Sequence, residues 1–97
     1  MYRRAFILTF DRDDNLNYKD IHDNIITSPS VITWWHYIKS SYILIVDTND
    51  VSKLNKEIVN AMPDKRFLLI EVNLKSRNGW LPPKAWEWIK AQSVKLK

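Results

Sequence analysis

Short apolar runs alternate with amphipathic stretches along this chain, and their order predicts the fold. Ala5-Phe6-Ile7-Leu8-Thr9-Phe10 is a nearly continuous apolar run, the pattern of a strand covered on both faces. Asn17 then stands where a helix N-cap is needed, with Asp20 three residues on at the positive end of the helix. Tyr18, Ile21 and Ile25 recur at helical spacing, which predicts a short amphipathic helix over 18–27, broken by Thr27-Ser28-Pro29-Ser30. Residues 31–38 are β-branched and aromatic, Lys39-Ser40 is a tight connection, and Ser41 to Asp47 is again strongly apolar, so 31–47 reads as a hairpin. Asp50 can cap a second helix with Val51, Leu54, Ile58 and Met62 on one face, and Pro63 stops it. Residues 66–74 read as a fourth strand.

Strand–helix–strand–strand–helix–strand is the order of the ferredoxin-like split unit, an α+β fold. Its antiparallel sheet has the spatial order 4-1-3-2. The runs at 5–10 and 41–47, apolar on both faces, suit the two central strands. The runs with Thr33, His36, Glu71 and Asn73 suit the edges. Two helices cover only one face of such a sheet. The other needs a further element or a partner subunit. Residues 79–93, a turn at Gly79 followed by Pro82-Pro83 and a tryptophan-rich helix, are one candidate, and a homodimer through the sheet face is the other.

A chain of 97 residues is one domain, 1–97. The absence of cysteine removes disulfides, thiolate metal sites and cysteine nucleophiles. No apolar run approaches the ~18 residues of a membrane span, and Met1-Tyr2-Arg3-Arg4 is too short for a signal peptide, which implies a cytoplasmic protein. The net charge of +4 permits a nucleic-acid partner without demanding one, because the basic residues are scattered in small groups: Arg3-Arg4, Lys65-Arg66 and Lys95-Leu96-Lys97.

The chemistry is concentrated where the first strand ends, at Asp11-Arg12-Asp13-Asp14. The topology places Asp11, Asp13 and Asp14 on one edge with Lys39, Ser40, Ser41, Lys65 and Arg66. Asp47 and Asp50 lie on the opposite edge with Arg3, Arg4, Lys75 and Arg77. Mixed charge of this kind is either surface ion pairs of small energetic weight or a site. In the site reading, Asp11, Asp13 and Asp14 hold Mg²⁺ or Mn²⁺ while Arg12, Lys39, Lys65 and Arg66 hold a phosphodiester. A calcium loop is excluded: Leu16 stands where glycine is required and His22 where glutamate is required. His22 and His36 lack zinc-site spacing and read as hydrogen-bonded structural residues. With Gly79 the only glycine, no glycine-rich phosphate loop exists.

Five tryptophans gather in two groups, Trp34-Trp35 in the hairpin and Trp80, Trp86 and Trp88 near the end. Neighbours on a strand face opposite ways, so one of Trp34 and Trp35 meets a helix and the other the far sheet face. The aromatics either build a second small core or offer Trp34, Trp35 and Tyr37 as a surface for bases or a protein partner.

Four segments carry a resemblance over nearly the whole chain: Ile7-Leu8-Thr9-Phe10-Asp11, Leu16-Asn17-Tyr18, Trp34-Trp35-His36-Tyr37-Ile38-Lys39-Ser40-Ser41-Tyr42-Ile43 and Gly79-Trp80-Leu81-Pro82-Pro83-Lys84-Ala85-Trp86-Glu87-Trp88. In these the chain resembles a family of small SinR-like bacterial proteins. More widely it is similar to the small CRISPR adaptation subunit (the second Cas protein) and to VapD-like nucleases, which are ferredoxin-like homodimers whose first strand ends in an aspartate. That similarity rests on about six residues around Asp11 and departs at Phe10, where those families carry tyrosine, and at the C-terminal helix, where they exchange a strand. It implies a nucleic-acid-binding homodimer and a Mg²⁺- or Mn²⁺-dependent endonuclease with Asp11 as catalytic metal ligand. The alternative is a non-enzymatic protein-binding or regulatory subunit of a bacterial or mobile-element defence or toxin system.

Overall fold

A computed structural model describes residues 3–11, 17–75 and 77–96, the side chain of Tyr37 excepted. Its elements run β1 (Arg3–Phe10), α1 (Tyr18–Ile26), β2 (Val31–Ile38), β3 (Ser41–Asp47), α2 (Val51–Ala61), β4 (Phe67–Val72) and α3 (Pro83–Ser93). The sheet order is β2-β3-β1-β4, with every pairing antiparallel. This is the ferredoxin-like arrangement with an added third helix, as the sequence predicts.

Both caps form. Asn17 Oδ1 accepts from the backbone N–H of Lys19 and Asp20, and Asp50 Oδ1 accepts from those of Ser52 and Lys53. Past α2, the turn into β4 holds Asp64 at φ 62°, a left-handed conformation that aspartate tolerates better than most residues. β4 is shorter than the 66–74 expected. Asn73 Oδ1 accepts from Lys75 N–H at 2.9 Å, which bends the chain and turns the buried Leu74 toward α3.

Strand alternation divides the core in two. On the helix face, Phe6, Leu8 and Phe10 of β1 and Tyr42, Leu44 and Val46 of β3 pack with Ile25, Leu54, Ile58 and Met62. On the opposite face, Ala5 and Ile45 form a second cluster with Leu74 and Ile89, bordered by Trp86 and Trp88. The C-terminal helix therefore covers the second face, but over one half only. Leu68 and Ile70 are 54% and 49% exposed, and Ile7 and Ile38, at 38% and 51%, line an open groove with Trp86 and Ile89 of that helix.

β2 carries two irregularities that re-aim its side chains. Trp35 pairs with Ile43 and Ile38 with Ser41, so three steps along β2 match two along β3. The bulge keeps His36 on the helix face and places Ile38 on the open face, where simple alternation puts it with the helices.

Candidate functional site

The sheet ends differently at its two extremities, and the candidate residues lie where β1 finishes. Phe10 N–H donates to Ser40 O in the β2–β3 turn at 3.1 Å, and Asp11 N–H donates to Arg66 O ahead of β4 at 3.2 Å. These two backbone bonds draw Asp11, Lys39, Lys65 and Arg66 to one edge, as the topology requires. Arg66 Nε donates to Asp11 Oδ2 at 2.5 Å, with the two side chains 89% and 53% exposed. In water such a pair contributes roughly 0–1 kcal/mol, so another partner can displace either member at little cost. Lys39 is exposed in its turn and Lys65 is half-buried. Arg12, Asp13 and Asp14 lie outside the described residues. Among the described residues no group of three or more His, Cys, Asp or Glu is placed to hold a metal ion. Of the predicted metal ligands only Asp11 is therefore placed, and its carboxylate is matched to a guanidinium.

The hairpin tryptophans part company as strand alternation demands. Trp34 stays on the helix face, its ring edge-on to His22 at 4.8 Å between centroids. Trp35 is buried on the opposite face, beside a groove lined by Trp86, Ile43 and Ile89. Trp35 is thus spent on packing within the chain, and of the expected partner surface Trp34 alone remains partly accessible among the described side chains. Tyr37 lies outside them. Trp86 and Trp88 join the second core, whereas Trp80 is fully exposed.

The structure also brings together residues that spacing along the chain kept apart. His22 of α1 and His36 of β2 converge on Tyr42 of β3. His22 Nδ1 lies 2.6 Å from the Tyr42 hydroxyl, and the His36 ring stacks on the Tyr42 ring at 3.9 Å with an interplanar angle of 3°. His36 Nδ1 lies 2.9 Å from Ser41 O. A carbonyl only accepts, so Nδ1 carries the proton and Nε2 is the acceptor of the neutral ring. Burial, with the Asp23 charge adding to it, pushes the Tyr42 phenol up to about 12, and the hydroxyl stays protonated at neutral pH.

Both histidines are hydrogen-bonded, as read from the sequence, but their meeting on Tyr42 was not anticipated. The signal was present in the alternation of the hairpin: Trp34 and His36 share a face, and Leu44, the neighbour of Trp34 across the hairpin, shares it with Tyr42. In front of this cluster a pocket of about 150 Å³ opens at the same end of the sheet, lined by Phe10, Tyr18, Ile21, His36, Lys39 and Tyr42.

At the opposite end Arg4 and Glu71 are committed to one another. Arg4 makes a two-pronged contact with Glu71, Nε to Oε2 at 2.6 Å and Nη2 to Oε1 at 2.8 Å, and also donates to Thr48 O at 3.4 Å. That contact raises the Arg4 pKa and lowers that of Glu71. No helix among the described residues is long and apolar enough to cross a membrane. No family model, curated protein or solved structure matches the chain.

Proposed function

We propose that the protein binds nucleic acid at the end of the sheet where β1 finishes, and does so as a homodimer. The observation that carries this reading is the convergence there of Lys39, Lys65 and Arg66, delivered by two separate connections to the end of β1, in a chain of net charge +4. Guanidinium and ammonium groups at one edge suit successive phosphates. The open apolar half of the far sheet face, Ile7, Ile38, Leu68 and Ile70, supports pairing with a second copy.

The nuclease form of the reading asks more of Asp11. Mg²⁺ or Mn²⁺ would take the Asp11 carboxylate while Arg66 moves onto the phosphodiester, an exchange eased by the exposure of their ion pair. Binding to labelled RNA and DNA across a salt series, with and without Mg²⁺, tests both levels. Affinity should fall steeply with salt. Asp11→Asn should remove Mg²⁺-dependent cleavage and leave thermal stability nearly unchanged. Cleavage retained in Asp11→Asn, or none by the wild type on any substrate, ends the enzymatic form.

A protein-binding subunit is the second reading, favoured by the same apolar surface and by Trp80, which is 100% exposed. It predicts a protein complex insensitive to salt and lost in Trp80→Ala.

A further inference from the structure

We infer that the pocket in front of Tyr42 receives one pyrimidine-sized base of a single-stranded nucleic acid, with the adjoining phosphate on Lys39. The inference rests on the nucleic-acid reading and gives it a recognition element. Three features define the occupant.

The walls are flat and aromatic. Phe10 faces Tyr18 at 6.4 Å and Tyr42 at 6.2 Å between ring centroids, and Ile21 and the His36 ring complete the lining. Such walls reward a planar ring. The volume is small. At about 150 Å³ the pocket equals roughly five waters of liquid. Sites for whole drug-sized ligands run to about 300–1,000 Å³, so a single six-membered ring with its substituents enters here while sugar and phosphate stay outside.

The polar groups are few, and two of them are already engaged within the chain. The Tyr42 hydroxyl is tied to His22, and His36 Nδ1 to Ser41 O, which leaves His36 Nε2 as a hydrogen-bond acceptor of a pocket-lining ring. An imide or amide N–H on the edge of a pyrimidine is the complementary donor. Lys39 lines the same pocket from the exposed β2–β3 turn, and Arg66 lies along the same edge of the sheet. The occupant is therefore a flat ring with an N–H, joined to an anion outside. A base stacked in a duplex cannot enter, which makes single strands the substrate form.

The test uses the full chain and four probes: hexauridylate, hexaadenylate, a duplex of equal charge and uridine 5′-monophosphate. Binding is read by fluorescence anisotropy, and occupancy of the pocket by the His36 and Tyr42 ring proton resonances. Hexauridylate should bind more tightly than the duplex and shift both rings. Ile21→Phe fills the pocket from a half-buried helix position and should lower hexauridylate affinity about 5- to 150-fold, the weight of one stacked base. Duplex affinity should stay the same. His36→Phe keeps the stacked ring but removes the acceptor. It should reduce the preference for hexauridylate over hexaadenylate.

Nucleic acid bound with equal affinity by wild type and Ile21→Phe, and without ring shifts, overturns the pocket assignment and leaves the nucleic-acid reading standing. Uridine 5′-monophosphate shifting both rings while no oligonucleotide binds overturns the nucleic-acid reading and the single-strand assignment. No shift with any probe overturns the pocket in every form.

Discussion

The two ends of the sheet are built from similar residues and finished in opposite ways. Where β1 begins, α3 closes the second face over Ala5 and Ile45, and Arg4 is held by Glu71 and the Thr48 carbonyl. Where β1 ends, neither face is closed. Ile7, Ile38, Leu68 and Ile70 are exposed on one side, and a pocket opens beside Tyr42 on the other. The ion pair there, Asp11 with Arg66, stands in solvent. The two ends thus differ in how one ion pair at each is held: Arg4 and Glu71 are locked by two hydrogen bonds at the closed end, and Asp11 and Arg66 meet through one in solvent at the open end.

The largest break in this comparison comes from truncating the same kind of apolar residue at each end. Ile45 is fully buried in the second core, and Ile45→Ala should cost roughly 2–5 kcal/mol by urea denaturation. Leu68 is 54% exposed, and Leu68→Ala should change monomer stability by less than about 0.5 kcal/mol. Ile70→Lys, also at the open end, should leave the fold intact and abolish dimers in sedimentation. A large cost at Leu68 measured on monomer would mean that the open face is covered within the chain.

Tyr42 comes next, because it joins the open end to the core. Tyr42→Phe removes the bond to His22 and should cost about 1 kcal/mol. The phenol also sets an alkaline limit. Its pKa is raised from 10.0 to about 12 in the folded chain, so the unfolded state loses its proton first. The contribution is complete below 10.0 and is lost as pH rises toward about 12. A late phase in the phenolate absorbance titration, missing in Tyr42→Phe, checks the assignment.

The closed end was the more legible of the two in sequence. Apolar runs, caps at Asn17 and Asp50 and the double proline at 82–83 each report on local physics, and they led to the correct sheet order and to a helix over residues 83–93. Asp11, Lys39, Lys65 and Arg66 followed from that order, because an antiparallel register fixes which strand ends are neighbours. The cluster at Tyr42 was harder to read. His22, His36 and Tyr42 come from three elements, and their meeting depends on packing between α1 and the hairpin. The bulge before Ile38 was also invisible, since one extra residue leaves no mark on composition. The extent of α3's cover depends on where a helix comes to rest on the sheet, which periodicity does not specify.

The smallest effects separate the two ion pairs. Arg4→Met should lose about 0.5–1 kcal/mol, since a two-pronged contact on a side chain 23% exposed is the stronger kind of surface pair. Arg66→Met should lose almost none and instead weaken nucleic-acid binding, with a shallower salt slope. The acid dependence of stability carries the same distinction. The hydrogen bond to Arg4 lowers the Glu71 pKa below its ordinary 4.5, with Coulomb attraction adding to it and burial opposing. The unfolded chain therefore binds this proton first on acidification. Stability from the pair is complete above 4.5 and is lost as pH falls through the folded value. Because Glu71 is about half exposed, solvent screening keeps the change to tenths of a kcal/mol. Thermal midpoints through an acid series should decline less steeply in Arg4→Met than in the wild type. Parallel curves would mean that Arg4 and Glu71 are no more coupled in solution than an ordinary solvated pair, and the contrast between the two ends would then rest on the apolar faces alone.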